Sequence, residues 1–485
     1  MTTTTHQLGD VRPMFVGGEW RQASNGGAMP TFNPATEEQM AEVAAGTAAD
    51  VDLAVAAANE AAPHWGGRPW TERANILRQV AARIRDNVEQ VAIVDVDNAG
   101  LPITTARVDA LRAADEIDYY AGIAGETKGT TSPTQSDVVS YTLREPYGIV
   151  GRIIPFNHPF NFSAAKIAAP LAAGNTVILK APDQTPLPAL AFAELVEDLL
   201  PPGVLSVLTG HGAEAGAAIA SHPEIPRVAF IGSVETGRAV MRAGAEHIKH
   251  VTLELGGKNP MIICEDMDPK TAAVEAVNGM NMRKTMGQSC QSNSRVFVHE
   301  SLADEFLEHL ATICNSLIVD DPRAEDTEMG PLGYPGHYER VLGHIDNAIE
   351  DGARLICGGS RPAHLDRGCY VAPTVLADVN PGMRIFGQEV FGPVMAVIPW
   401  SDEATMLEQV NSIDLGLTAR IWTGDAKRAN RLVAGVQSGL IWVNGNKGKS
   451  RGLPFGGFKL SGLGKEGCLE ELVSYTREKA VMSFF

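Results

Sequence analysis

The 485-residue chain is long enough for two large domains or three unequal ones, and its 44% apolar content, 20% charged residues and 49 Gly exclude a disordered or fibrous protein. Forty Lys plus Arg face 58 Asp plus Glu, and the formal charge of −18 repels a phosphate backbone, which argues against a nucleic-acid partner. No apolar run reaches the roughly 18 residues of a membrane span, and the six cysteines form no CxxC pair or zinc spacing. Reduced thiols in a cytoplasmic protein with no bound metal and no membrane partner are expected.

In chain order, VDLAVAAANEAA behind Asp50 and ERANILRQVAARIRDNVEQVAIV behind Thr71 space their apolar residues as amphipathic helices, so the first third is expected to be mostly helical. The period then changes. YGIVGRII (147–154), NTVILKA (175–181), GVLSVLTG (203–210) and RVAFIGS (227–233) are short Val/Ile/Leu runs separated by Ala-rich helical stretches, a pattern that predicts βαβ units and a parallel sheet. After Gly256 the alternation resumes with PMIIC (260–264) and SRVFVHE (294–300), which read as a second α/β domain. VVSYTLREP (138–146) and the tail VSYTREKAVMSFF fit neither domain; exposed aromatic β segments of this kind often pair with another subunit.

Two segments carry candidate chemistry. GQSCQSNSR (287–295) sets Cys290 among small polar residues in a connection, where a thiolate finds access; Cys264, Cys314 and Cys357 read as buried small hydrophobes. In VTLELGGKNP (251–260), Glu254 ends an apolar strand before Gly256 and Gly257, where backbone approaches a ligand closely. A carboxyl between Leu253 and Leu255 is a general base with a raised pKa if buried, and a solvated strand end if not.

The strings IPFNHPF, ILKAPDQTP, FIGSVETG, LELGGKNP, GQSC, EVFGPV and LPFGGFKLSGLGKEG, in this order between Pro155 and Gly467, resemble the aldehyde dehydrogenase superfamily. The resemblance implies an α/β fold with a variant Rossmann cofactor domain (1–123 and 147–255), a catalytic domain (256–467) and a small β oligomerisation element (124–146 and 468–485) in a homodimer or homotetramer. It implies Cys290 as nucleophile, Glu254 as general base and Asn157 as the oxyanion-stabilising amide. A small-molecule aldehyde is then oxidised to the acid through a thiohemiacetal and a thioester.

For the cofactor, the resemblance implies Lys180 on the adenine ribose and Glu389 with Phe391 at the nicotinamide ribose. It also brings Pro155, Phe156, Gly232, Ser233, Gly237 and Leu255 around the dinucleotide, with the turn GSVETG opening a helix toward the pyrophosphate. GSVETG is not GxGxxG, and alone it reads as an ordinary strand-to-helix turn. Asp183 repels a 2′-phosphate and favours NAD, with NADP left open because Asp is a methylene shorter than the Glu common in NAD-preferring relatives.

Departures from the family pattern concern substrate. Phe156 and His158 flank Asn157 where relatives carry other aromatics, and His158 either contacts substrate or packs into the tunnel wall. Lys447, Lys449 and Arg451 lie in the stretch that shapes the entrance in relatives, and Lys284 falls where semialdehyde-oxidising relatives can carry an Arg. These cations suit an anionic aldehyde or form a solvated basic loop, whereas Phe160 and Phe162 suit an aromatic one. A CoA-acylating dehydrogenase and a non-catalytic protein that kept the fold are the alternatives.

Overall fold

The computed structural model describes residues 11–133, 136–446 and 450–485. The apolar runs become the strands Ile149–Ile153, Thr176–Lys180, Leu205–Leu208, Arg227–Ile231 and His250–Glu254, all but the start of the last fully buried. Burial on both faces removes the polar alternation a half-exposed strand would show. Adjacent strands in this group run parallel, and their register aligns Ile153 with Lys180 and Ile231 with Glu254. The carboxyl ends of the strands therefore lie along one edge, where ligands of open α/β sheets bind.

The first third departs from the helical expectation. Helices do fill Ala48–Gly66, Trp70–Asp86, Val88–Ala99 and Ile103–Ile123, but among the described residues five strands of two to six residues precede them. Met14–Val16 extends the parallel sheet antiparallel to Leu205–Leu208, and Glu19–Arg21 adds beyond it. Runs this short hold too few turns of pattern to separate from loop. The first helix also begins before Asp50: Thr47 is its N-cap, and Asp50 closes a capping box by accepting from the Thr47 N–H at 2.8 Å.

A second sheet aligns Pro260–Ile263, Arg295–His299, Thr374–Ala377, Val394–Trp400, Thr418–Trp422 and Leu440–Val443 in parallel, with Arg354–Cys357 antiparallel at one edge. Gly462–Leu463 crosses back to the first sheet, where Gly462 faces Glu254. The two segments that fitted neither sheet pair with each other in the same chain, antiparallel from Thr476 opposite Pro146 to Phe484 opposite Val138. Cys264, Cys314 and Cys357 are buried as expected. Among the described residues no helix is long and apolar enough to cross a membrane, and no cluster of His, Cys, Asp and Glu could hold a metal.

Candidate active site

Glu254 leaves the carboxyl end of its strand into a cavity of about 440 Å³ that is also lined by Asn157, His158, Phe162 and Cys290. The expected nucleophile, base and amide thus converge from one strand end and two loops. The Cys290 thiol and the Glu254 carboxyl line the same cavity closely enough for each to act on the other's ionisation. Burial, reinforced by the nearby charge of Glu466, pushes Glu254 up to about 8. Burial also raises the Cys290 thiol well above its ordinary value, with the Glu254 charge adding to it. A carboxyl titrating near 8 beside a thiol can exchange a proton with it.

Asn157 is buried, and its Nδ2 donates one hydrogen to the Gln288 carbonyl at 2.8 Å, which fixes the amide plane two residues before the nucleophile. Its second N–H remains for another acceptor. The thiol loop is clamped by Asn259, whose Nδ2 donates to the carbonyls of Cys290 (2.6 Å) and Ser292 (2.9 Å) while its Oδ1 accepts from the Thr418 N–H (3.0 Å). Gly257 makes this clamp possible, because a side chain there would stand 2.9 Å from the Cys290 carbonyl and 2.5 Å from Asn259 Oδ1.

The expected cofactor residues sit along the same strand edge. Glu389 accepts from the Gly257 N–H at 2.9 Å, and burial raises it to about 7 against the pull of that hydrogen bond and the Lys258 charge. Phe391 adopts a left-handed backbone (φ 57°) and meets the edge of the Phe156 ring at 5.9 Å. Pro155 leads into this ring just beyond its strand. Lys180 ends its strand buried against Asp183, which also accepts from the Gly212 N–H at 2.8 Å. Asp183 is thus an ion-paired carboxylate as well as the repulsive charge expected from sequence.

Ser233 caps the Val234–Ala245 helix by accepting from the Thr236 N–H at 3.2 Å, as GSVETG implies, and Gly232 precedes it under the Phe230 ring. Gly237 lets Leu255 pack on the helix, since a Cβ there would come within 2.8 Å of the leucine. The chain thus fits a dinucleotide, with a helix N-terminus at one end, Glu389 at the other and glycine backbone between.

The entrance differs from expectation. Phe160 points into the core against Phe192, with ring centroids 6.1 Å apart, so it does not shape the cavity. Phe162 does, two residues on, because that spacing turns the side chain to the opposite helix face. Arg451 lines the cavity but is paired with Asp115 at 2.7 Å rather than free. Lys284 is exposed and is not part of the lining, and Lys447 and Lys449 lie outside the described residues.

Among the lining residues that sequence reading missed are five charged ones: Asp109, Arg112, Glu116, Lys166 and Glu466. Asp109 is buried and bonded to His158 Nδ1 at 2.5 Å. Glu466 meets Arg152 at 2.6 Å and Lys166 at 2.9 Å, and these cations hold its carboxyl far below the usual range despite its burial. Helical spacing of Asp109 and Arg112 was the available signal, but it equally describes a solvated stripe.

Residues 20–481 match the sequence model of the aldehyde dehydrogenase family. The chain belongs to that family. It is 40% identical over 480 residues to an aldehyde dehydrogenase of Talaromyces stipitatus, covering 96% of this chain and 92% of that protein. A betaine aldehyde dehydrogenase of Oryza sativa is 37% identical, with 94% and 92% covered. The NAD+ complex of a Bacillus cereus aldehyde dehydrogenase superposes with a TM-score of 0.94 at 38% identity, over 98% of this chain and 97% of that one. As an aldehyde dehydrogenase by family, this chain has the α/β architecture the resemblance implied.

Proposed function

We propose that the protein oxidises an aldehyde to a carboxylic acid with NAD, through a thioester on Cys290 that water hydrolyses. The observation that carries this reading is the thiol of Cys290 facing the near-neutral carboxyl of Glu254 in one cavity with Asn157. Glu254 takes the thiol proton, and the sulfur attacks the carbonyl carbon. Asn157 Nδ2 and the Cys290 backbone N–H hold the resulting oxyanion. A dinucleotide held by Lys180, Ser233 and Glu389 would supply the hydride acceptor that lets the carbonyl re-form as a thioester. After releasing the thiol proton to solvent, Glu254 draws a proton from water, which adds to the thioester carbon and expels the thiolate; overall, aldehyde, NAD+ and water yield the carboxylate, NADH and two protons.

Support for NAD comes from the NAD+ complex of the Bacillus cereus relative and from the strand edge that gathers Lys180, Asp183, Ser233 and Glu389. The carboxylate of Asp183 disfavours a 2′-phosphate. Residues 1–123 with 147–255 serve the cofactor, and 256–467 supply the nucleophile. The strands Val138–Pro146 and Thr476–Phe484 leave Val139, Leu143, Met482 and Phe484 exposed, which supports assembly of a homodimer or homotetramer through this element.

NADH formation at 340 nm across a panel of aldehydes tests the reading. Turnover without CoA, lost in Cys290→Ala while NAD still quenches tryptophan fluorescence, is the expected result. Strict dependence on CoA would replace water with a thiol acceptor, and turnover by Cys290→Ala would remove the nucleophile.

A further inference from the structure

On the Ile103–Ile123 helix, Thr105, Asp109, Arg112 and Glu116 recur at helical spacing and share one face. The Thr105 hydroxyl donates to the Arg283 carbonyl at 3.5 Å, which seats this face against the short Met282–Thr285 helix that carries Lys284. The other three residues line the catalytic cavity.

Most of the carboxylates there are compensated. Asp109 is held by His158 at 2.5 Å and Arg112 at 3.3 Å; burial opposes its charge, but these two partners outweigh burial and keep it ionised. Glu466 answers to Arg152 and Lys166. Glu254, titrating near 8, carries little charge at neutral pH. Glu116 acts on Lys166.

The cations are less well matched. Arg451 is engaged by Asp115, but among the described residues no carboxylate lies within ion-pair distance of Lys284 or Arg420. Arg420 is buried, stacks over Trp442 at 4.6 Å and donates to the carbonyl of Gln291, the neighbour of Cys290, at 2.9 Å; its Nε meets nothing. Burial and the charges of Arg112 and Arg420 push Lys284 below its ordinary value, while Asp109 pulls it back, so the four groups act on one another. The Arg112 side chain is 51% exposed and gives only one edge to Asp109. Beside it, His158 has Nδ1 committed to Asp109, so Nε2 is its uncommitted polar atom.

We propose that the aldehyde oxidised in this cavity carries a carboxylate remote from its carbonyl, bound by Arg112 beside the His158 imidazole. The proposal rests on the dehydrogenase reading above and specifies its substrate. A planar guanidinium already fixed on one edge by Asp109 loses little freedom when it accepts a second carboxylate. The buried charge of Arg420 adds a field of the same sign behind Gln291. A trimethylammonium aldehyde meets the opposite field.

The test compares kcat/KM for 4-carboxybenzaldehyde, succinate semialdehyde, 4-methylbenzaldehyde and trimethylammonioacetaldehyde with NAD at low and high salt. At least one carboxylated aldehyde should exceed both others by about tenfold or more, and the advantage should shrink as salt screens it. In Arg112→Met this selectivity ratio should fall about tenfold through KM, with Arg112→Lys restoring part of it. A neutral or cationic aldehyde that matches or surpasses both carboxylated ones, or a ratio unchanged in Arg112→Met, overturns the proposal. If the variants fail to fold, the wild-type ranking and its salt dependence still decide. No NADH from any of the four aldehydes would count against the dehydrogenase reading itself, whereas turnover without selectivity would count only against the carboxylate.

Discussion

Gly256 and Glu389 are packed so closely that a methyl group on the glycine would overlap the carboxylate oxygen Oε2. The other oxygen accepts from the Gly257 N–H, so the carboxyl is aimed by backbone on both sides. Gly256→Ala should displace Glu389 and weaken NAD binding by about tenfold or more, equivalent to ~1.4 kcal/mol. Titration by fluorescence quenching reads this directly; an unchanged Kd would mean that Glu389 does not hold the dinucleotide.

Glu254 sets a pH dependence with a definite sign. Its folded pKa is raised to about 8, so the proton-accepting form is scarce at pH 6 and grows as pH rises through 8. The rate of acid formation at saturating aldehyde should climb over that interval. Glu254→Gln should remove the rising limb and let a thioester accumulate, seen as a burst of NADH followed by a slow steady state. A flat wild-type profile between pH 6 and 9 would assign the base elsewhere.

Glu389 predicts a second, lower transition. Ionised carboxyl accepts from ribose hydroxyls, and with its pKa near 7 the ionised fraction increases between pH 6 and 8. Affinity for NAD should therefore strengthen with pH over that range and lose the dependence in Glu389→Gln. Calorimetric titration at three pH values suffices.

Asn259→Ala removes a side chain that satisfies two carbonyls and one N–H around the nucleophile. Unpaired buried polar groups cost about 1–3 kcal/mol each. Both lower thermal stability and faster alkylation of Cys290 by iodoacetamide are expected, because the loop is no longer clamped. Alkylation at the wild-type rate would confine Asn259 to a purely structural part.

Arg152 is completely buried, and Arg152→Met leaves Glu466 with Lys166 alone. Breaking a buried pair in this way costs about 3–5 kcal/mol. Loss of soluble protein or a much lower unfolding temperature is the expected outcome, and a variant as stable as the parent would show that Lys166 compensates.

The parallel strands and Glu254 at the end of one of them are legible in sequence because fully buried strands are unbroken Val, Ile and Leu. Arg451 illustrates what is not. Its partner Asp115 is 336 residues away, and nothing local distinguishes a paired arginine from a free one. Asp109 was hidden differently: burial of an acid on a helix is decided by the His158 that reaches it from another loop. Phe160 and Phe162 look alike in composition, and only the helix they share sends one to the core and the other to the cavity. Val11–Arg12, Met14–Val16 and Glu19–Arg21 escaped because two or three residues carry no period.

The ion pair between Arg152 and Glu466 joins positions 314 residues apart. During synthesis at about 5–20 residues per second, the arginine waits on the order of 15 to 60 s for its acid. Throughout that interval the emerging parallel sheet holds an uncompensated positive charge at its centre. A chain that stops before Glu466 leaves Arg152 without this partner, so a truncated product carries the cost of an unpaired buried charge.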